Sequence, residues 1–468
     1  MSPVRLYDFS IKMTPLYPCD LGEKGRFFTD TGHPRPAYDG DLMKITRSLF
    51  GFASLLVSST LMSGCAYLRI DPNHYLFRSD VIESVEQEKA IVAKAKLEWT
   101  ADGRARVLYV SGTPYERGYQ QGRLLREEVR DNLLYLYDKV LDKYHFEELL
   151  DESYERQRPY IPQEYIDEMQ GLAHGSRLPL RVVHAIHALP EITEWGGKRK
   201  YKKLIKEMMD GVLLGTSCSN FAANKTATAD GKMYTVRVLD WGLHKLSKLH
   251  EYPLITVNVP DKGKGVPSAN IGWAGFLGAV SGMNAEGITL GEMGYGDPEG
   301  ETMRGRPMPF VLRDVLTYAK NLKDVRKIIK EAPPTNSFVF LMSDGKTGDA
   351  ELYVRDRYRF ETFKAGKDLE DKNKKFPAIP GIVYGGHYQE KMTTKLGETR
   401  GTMTPEIIMK EVIPYIAMPS NFQNVLYSPN DLSFWFTNAA GPKARAAEQP
   451  YTFYDFKAGL KSFEAGAK

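Results

Sequence analysis

Cysteine is scarce: the 468 residues hold three, Cys19, Cys65 and Cys218. Cys65 closes a hydrophobic leader and Cys19 lies upstream of it, so processing there would leave Cys218 as the lone thiol. No pair would remain for a disulfide, although the compartment outside a bacterial cytoplasm is oxidising. Metal-binding patterns are also missing. The nine histidines form no His-Glu-x-x-His and the cysteines are unpaired, so neither a metal nor another cofactor is expected. No Gly-x-Ser-x-Gly elbow sits near a strand–helix turn. Gly345-Lys346-Thr347 lacks the glycine five residues earlier that a phosphate loop requires. A net charge of +4 is too mild to point to nucleic acid.

Long apolar runs are absent as well. The longest, Leu49 to Met62, is shorter than the roughly 20 residues needed to span a bilayer. It follows a short basic stretch, Met43-Lys44-Ile45-Thr46-Arg47, and ends in Leu61-Met62-Ser63-Gly64-Cys65, which resembles a lipobox. Residues 43–64 therefore read as a lipoprotein signal peptide, with Cys65 as the lipidation site. A buried internal helix is the alternative. Residues 1–42 show no periodicity and read as a misassigned or disordered extension. A diacylated Cys65 would tether the protein to a bacterial envelope membrane, on the periplasmic or outer-membrane side.

What is present divides by periodicity. Residues 65–217 read as mainly helical. Leu125, Val129, Leu133, Leu136 and Val140 form one apolar stripe on a long helix, with Thr113-Pro114 as its cap and first-turn proline. A second helix is expected from Gln163 to Ala173. The Lys- and Arg-rich run at 198–206 is a solvated face or a contact for anionic lipid. Residues 218–468 are strand-rich, with hairpins at Asp230-Gly231, Asn284 to Gly287 and Asp344-Gly345, and one helix from about Pro309 to Ile329.

The chemistry gathers around Cys218, at the head of a strand. A two-residue turn at Asp230-Gly231 would set Arg237 opposite Asn224 and Asp240 opposite Phe221, returning a cation and a carboxylate toward the thiol. Arg237 and Asp240 are an odd number apart, so both reach one site only if the strand bulges or ends near Asp240. A free thiol titrates near 8.5 and needs activation. His387 is one candidate base. The other is the α-amino group of Cys218 itself, exposed by cleavage after Ser217, with a pKa near 8.

Cys218-Ser219-Asn220-Phe221-Ala222, Ala229-Asp230-Gly231-Lys232 and Arg237-Val238-Leu239-Asp240-Trp241 resemble the N-terminal-nucleophile (Ntn) hydrolases. The resemblance is to the isopenicillin-N acyltransferase-like branch, and more distantly to bile-salt hydrolases and acid ceramidases. Similar blocks follow at 272–278, 281–287 and 310–316, and another precedes at 112–122. The resemblance implies an α+β fold, a four-layer αββα sandwich preceded by a helical region. It implies self-cleavage between Ser217 and Cys218, with Cys218 as nucleophile and Arg237 and Asp240 organising the site. The implied substrates are small acylated amides or thioesters. The chain departs from its relatives at two asparagines, carrying Gly291-Glu292-Met293-Gly294 and Gly386 instead. Backbone N–H groups, Asn284 or Asn336 are the candidates for the oxyanion role. Two other readings stand beside this one: a non-catalytic envelope lipoprotein that binds, and an ester hydrolase of the phospholipase type.

Overall fold

The computed structural model describes residues 84–144, 147–194, 218–245, 247–295, 302–371, 374–386 and 388–466. The leader, Cys65, the 198–206 charge run, Ser217 and His387 lie outside the described residues.

The described residues begin with α1 (Val85–Val92), then β1 (Lys96–Trp99) and β2 (Arg106–Ser111). Thr113 caps the next helix through a reciprocal box: its hydroxyl accepts the Glu116 N–H (3.2 Å) and its own N–H donates to the Glu116 carboxylate (2.8 Å). The expected long helix is two. The backbone leaves helical geometry at Leu125 (φ −117°, ψ 34°), separating α2 (Pro114–Leu124) from α3 (Arg126–Tyr144). The apolar stripe survives the break, with Leu125, Val129, Leu133 and Leu136 all buried. Next come α4 (Glu147–Gln157), α5 (Gln163–Ser176) and α6 (Leu180–Glu194). The left-handed residue that ends α5 is Arg177 (φ 57°).

Helices α2 and α5 touch backbone to backbone. Gly118 and Gly122 of α2 face Gly171 and Gly175 of α5. A Cβ atom at any of the four would collide with a backbone carbonyl oxygen of the other helix: Glu168, Leu172, Tyr115 and Tyr119 respectively. Two Gly-x-x-x-Gly patterns thus interlock, as small residues permit wherever helices approach closely. Beside them the buried Glu168 pairs with Arg313 at 3.0 Å and with Arg117 at 3.7 Å.

Two sheets form the centre. Strands β5 (Pro253–Val259), β6 (Ser268–Trp273), β7 (Gly282–Asn284), β8 (Ile288–Gly294), β9 (Phe338–Asp344), β10 (Asp349–Arg355) and β11 (Phe360–Lys364) extend β1 and β2 into a nine-stranded sheet, in the order β1-β2-β5-β6-β7-β8-β9-β10-β11. Within it β2 and β5 run parallel. The six-stranded sheet has the order β14-β3-β4-β15-β16-β17. Its strands are β3 (Ser219–Ala223), β4 (Tyr234–Asp240), β14 (Ile382–Gly386), β15 (Asn421–Ser428), β16 (Ser433–Asn438) and β17 (Thr452–Asp455). The short β12 (Leu369–Asp371) and β13 (Lys374–Phe376) pair with each other.

Helices flank both sheets, giving an α+β fold of the αββα type preceded by helices. Helices α7 (Met308–Tyr318) and α8 (Leu322–Glu331) cover the nine-stranded sheet. One helix was expected across them; Asn321 interrupts it, its side chain capping α8 by accepting the N–H groups of Lys323 and Asp324. Helix α9 (Gln389–Thr399) packs on β14 of the six-stranded sheet, and α10 (Phe456–Gly466) is the last described element. The sheets stack with β3, β4 and β14 over β8, β9 and β10. Between them the hydroxyl of Ser343 meets those of Thr235 (2.7 Å) and Thr289 (2.6 Å). Among the described residues no helix is long and apolar enough to cross a membrane.

Candidate active site

Cys218 stands at the head of β3 and is 2% exposed. The strand it leads lies between β14 and β4, both antiparallel to it. The register differs from the sequence expectation by four residues: Arg237 faces Asn220, not Asn224, and Ser219 faces Val238. The connection is longer than a two-residue turn. After Ala223 the chain makes a 3-10 turn at Lys225–Ala227, with Lys225 in the left-handed region (φ 53°), then a second turn through Gly231 (φ 74°) before β4 starts at Tyr234. A shift of four preserves the alternation of faces, whereas an odd shift would have inverted it.

Arg237 is fully buried between the sheets. Its Nε donates to the Val280 carbonyl (3.3 Å). Its guanidinium grips Glu292 of β8 twice, by an ion pair to the carboxylate at 3.0 Å and by a bond to the backbone carbonyl. The same carbonyl accepts the Asn220 side-chain N–H at 3.0 Å. Gly291, next to Glu292, makes room for this approach, since a Cβ there would lie 3.0 Å from the Asn220 oxygen. Glu292 was not among the residues singled out from sequence. It sits in the stretch where the chain departs from its relatives' asparagine, and that departure was the available signal.

These charges act on the thiol. Burial pushes Cys218 up to about 12; hydrogen bonding and charge from Arg237 oppose this, and the carboxylates of Glu292 and Asp240 add to it. In the continuous chain the thiol is therefore held protonated near neutral pH. Asp240 ends β4, fully buried. One carboxylate oxygen, Oδ1, accepts the Asn421 amide (2.9 Å) and the Met418 N–H (3.2 Å). The other, Oδ2, has no hydrogen-bond partner among the described residues. Burial raises Asp240 to about 7, with Asn421, Met418, Arg237 and Arg445 pulling the other way.

Cys218, Arg237 and Asp240 thus lie together at the adjoining ends of β3 and β4. The asparagines considered for the oxyanion role are engaged elsewhere. Asn284 donates to the carbonyls of Leu316 and Ala319 and accepts the N–H groups of Glu286 and Ile288, fixing the β7–β8 turn to the end of α7. Asn336 donates to the backbone carbonyl and carboxylate of Glu191. That buried carboxylate also accepts the Met308 N–H and the Thr335 hydroxyl, and burial raises it to about 7. Neither asparagine has an amide hydrogen directed at Cys218. Position 386 places Gly386 opposite Ser219 at the end of the β14–β3 ladder. Among the described residues no cluster of His, Cys, Asp and Glu is arranged to hold a metal ion.

Residues 243–367, starting just beyond Asp240, match the family model for acyl-coenzyme A:6-aminopenicillanic acid acyl-transferase. Within an α+β fold of two stacked sheets flanked by helices, this stretch is similar to that acyl-transferase family. Protein dcd1A of Dictyostelium discoideum is 24% identical over 273 residues, covering 53% of this chain and 57% of that protein. An uncharacterized protein of Archaeoglobus fulgidus is 26% identical over 325 residues, covering 60% of this chain and 50% of that one. The chain spans about half the length of the curated relatives it matches. A solved structure, the Caenorhabditis elegans orthologue of N-acylethanolamine-hydrolyzing acid amidase, aligns over 46% of this chain and 93% of its own, at 12% identity and a TM-score of 0.34.

Proposed function

We propose that this chain is a self-processing N-terminal-cysteine amidase or acyltransferase. The Cys218 sulfur attacks the Ser217 carbonyl carbon, the Ser217–Cys218 C–N bond breaks, and the freed nitrogen takes up the thiol proton. Water then hydrolyses the thioester, giving a Ser217 carboxylate and a Cys218 with free thiol and α-amino groups. In the mature site the amino group takes the thiol proton. The thiolate attacks the carbonyl of a small acylated amide, the amine leaves with that proton, and the acyl thioester passes to water or to an acceptor amine.

The observation that carries this reading is Asp240. Its Oδ2 is a buried carboxylate oxygen with no hydrogen-bond partner among the described residues, on a residue whose charge acts directly on Cys218. An α-amino group at Cys218 is a donor of the kind such an oxygen needs, because an unpaired buried carboxylate is costly. It also places a base beside the thiol.

Intact mass and N-terminal sequencing of the purified protein, beside Cys218→Ala, test the reading. The expected result is a wild-type fragment beginning Cys218-Ser219-Asn220 and a continuous variant. One uncut chain in both would refute self-processing. It would favour a second reading, a binding protein of the same fold, which the thiol held near 12 in the continuous chain supports.

The lipid tether at Cys65 and an envelope location are part of the proposal and are supported by the leader sequence. They predict that the mature protein starts at Cys65 carrying a diacylglyceryl group, readable in the mass of its first peptide. An unmodified Cys65 inside a longer chain would refute them.

A further inference from the structure

We propose that Asn421 is a positioning residue for the reaction at Cys218, acting through Asp240. The inference rests on the self-processing reading above and assigns a role to a residue that no motif marks.

Asn421 opens β15 and stands directly opposite Asp240. It does so because the ladder slips at this point. From Tyr427 to Gln423, β15 pairs regularly with residues 235 to 239 of β4, and one more regular step would set Phe422 against Asp240. Instead Phe422 is the extra residue of a bulge. Its ring stacks on Trp273 at 4.6 Å, and Asn421 takes the place opposite the carboxylate. Bulges beside active sites commonly re-aim a side chain in this way.

The amide orientation is set by its surroundings. Asn421 Oδ1 accepts the Ala447 N–H at 2.8 Å, so Nδ2 is the atom presented to Asp240 Oδ1, at 2.9 Å. The Met418 N–H reaches the same oxygen at 3.2 Å, and the Ser420 carbonyl accepts the Gly242 N–H at 2.9 Å. Residues 418–421 therefore lace down the end of β4 on both sides of Asp240. Both donors land on Oδ1, which leaves Oδ2 for a donor on Cys218. Arg237 on the same strand, Cys218 at the head of β3 and Arg445 are charged or titratable groups that also act on Asp240. Asn421 contributes a neutral donor that favours the ionised carboxylate without adding charge.

The test follows cleavage of the full chain, made by cell-free synthesis and shifted to buffers between about pH 5 and 9, by the appearance of the fragment beginning at Cys218. Wild-type cleavage should fall as pH drops through the titration of Asp240, near 7. Loss of a hydrogen bond to a charged group moves that acid limb upward by about one pH unit or more. For Asn421→Ala this means roughly tenfold slower cleavage below the limb, with the alkaline plateau retained. Asn421→Ser, which keeps a short donor, should recover part of the shift, and it stands in if the alanine variant does not fold. A purely structural role would lower yield or melting temperature and leave the limb where it is. An unmoved limb in both variants, with the wild type cutting, overturns the role of Asn421 alone. A wild type that never cuts at any pH overturns the self-processing reading, and this inference with it.

Discussion

Arg237→Met is expected to abolish self-cleavage and to destabilise the fold by about 3–5 kcal/mol near neutral pH, the range for removing one partner of a buried ion pair. Arg237 is the cation paired with Glu292, and both are buried. Without it Glu292 becomes an uncompensated buried carboxylate and the thiol loses its neighbouring positive charge. The pH dependence of the penalty follows from Glu292. Burial already raises its pKa and Arg237 counters that, so removing Arg237 raises it further. A carboxyl group whose folded pKa exceeds its unfolded value binds more protons when folded. The variant's penalty should therefore be full above the folded pKa and shrink as pH falls toward about 4.3, the unfolded value. Urea unfolding at pH 8 and pH 5 measures this. The double variant Arg237→Met/Glu292→Gln should regain much of the stability at pH 8 and none of the cleavage. If stability and cleavage return together, the arginine acts on the thiol only through packing.

Gly171→Val should be the most damaging change remote from the thiol, at about 4 kcal/mol or more, with loss of soluble protein as the practical outcome. The added Cβ would strike the Tyr115 carbonyl oxygen of α2, and backbone cannot rotate aside as a side chain can. Separating the helices would also strain the Glu168 pairs with Arg313 and Arg117. The control is Gly397→Ala in α9, where nothing lies within 4 Å of the new atom. That change should stabilise by about 0.5–1 kcal/mol, because glycine is the weaker helix former. Thermal unfolding of the two variants beside wild type compares them. A Gly171→Val protein melting with wild type would mean that α2 and α5 do not pack this closely.

How much of this was legible in the sequence depended on the range of the interaction. The Thr113–Glu116 box is local and can be read directly. So can the alternation that sets Arg237 and Asn220 on one face, which is why a register wrong by four still brought the arginine back to the cysteine. The breaks at Leu125 and Asn321 were missed because the apolar period continues across them. The mirrored glycines at 118, 122, 171 and 175 were visible as spacing, but only the docked helices say that the two sets belong together. Glu292 could not be assigned because its partner lies on the other sheet. Asn421 was hidden more deeply, since one bulged residue decides whether it or Phe422 faces Asp240.

The place of β2 has a consequence for the cut protein. It precedes Cys218 in the chain, yet it lies inside the nine-stranded sheet, held by β1 on one side and by β5, from beyond Cys218, on the other. Opening the backbone ahead of Cys218 would leave that sheet built from two polypeptides. Refolding would then change from a first-order to a second-order process, and the unfolding midpoint would fall on dilution, as it does for an obligate dimer. The continuous Cys218→Ala chain would keep one midpoint at every concentration.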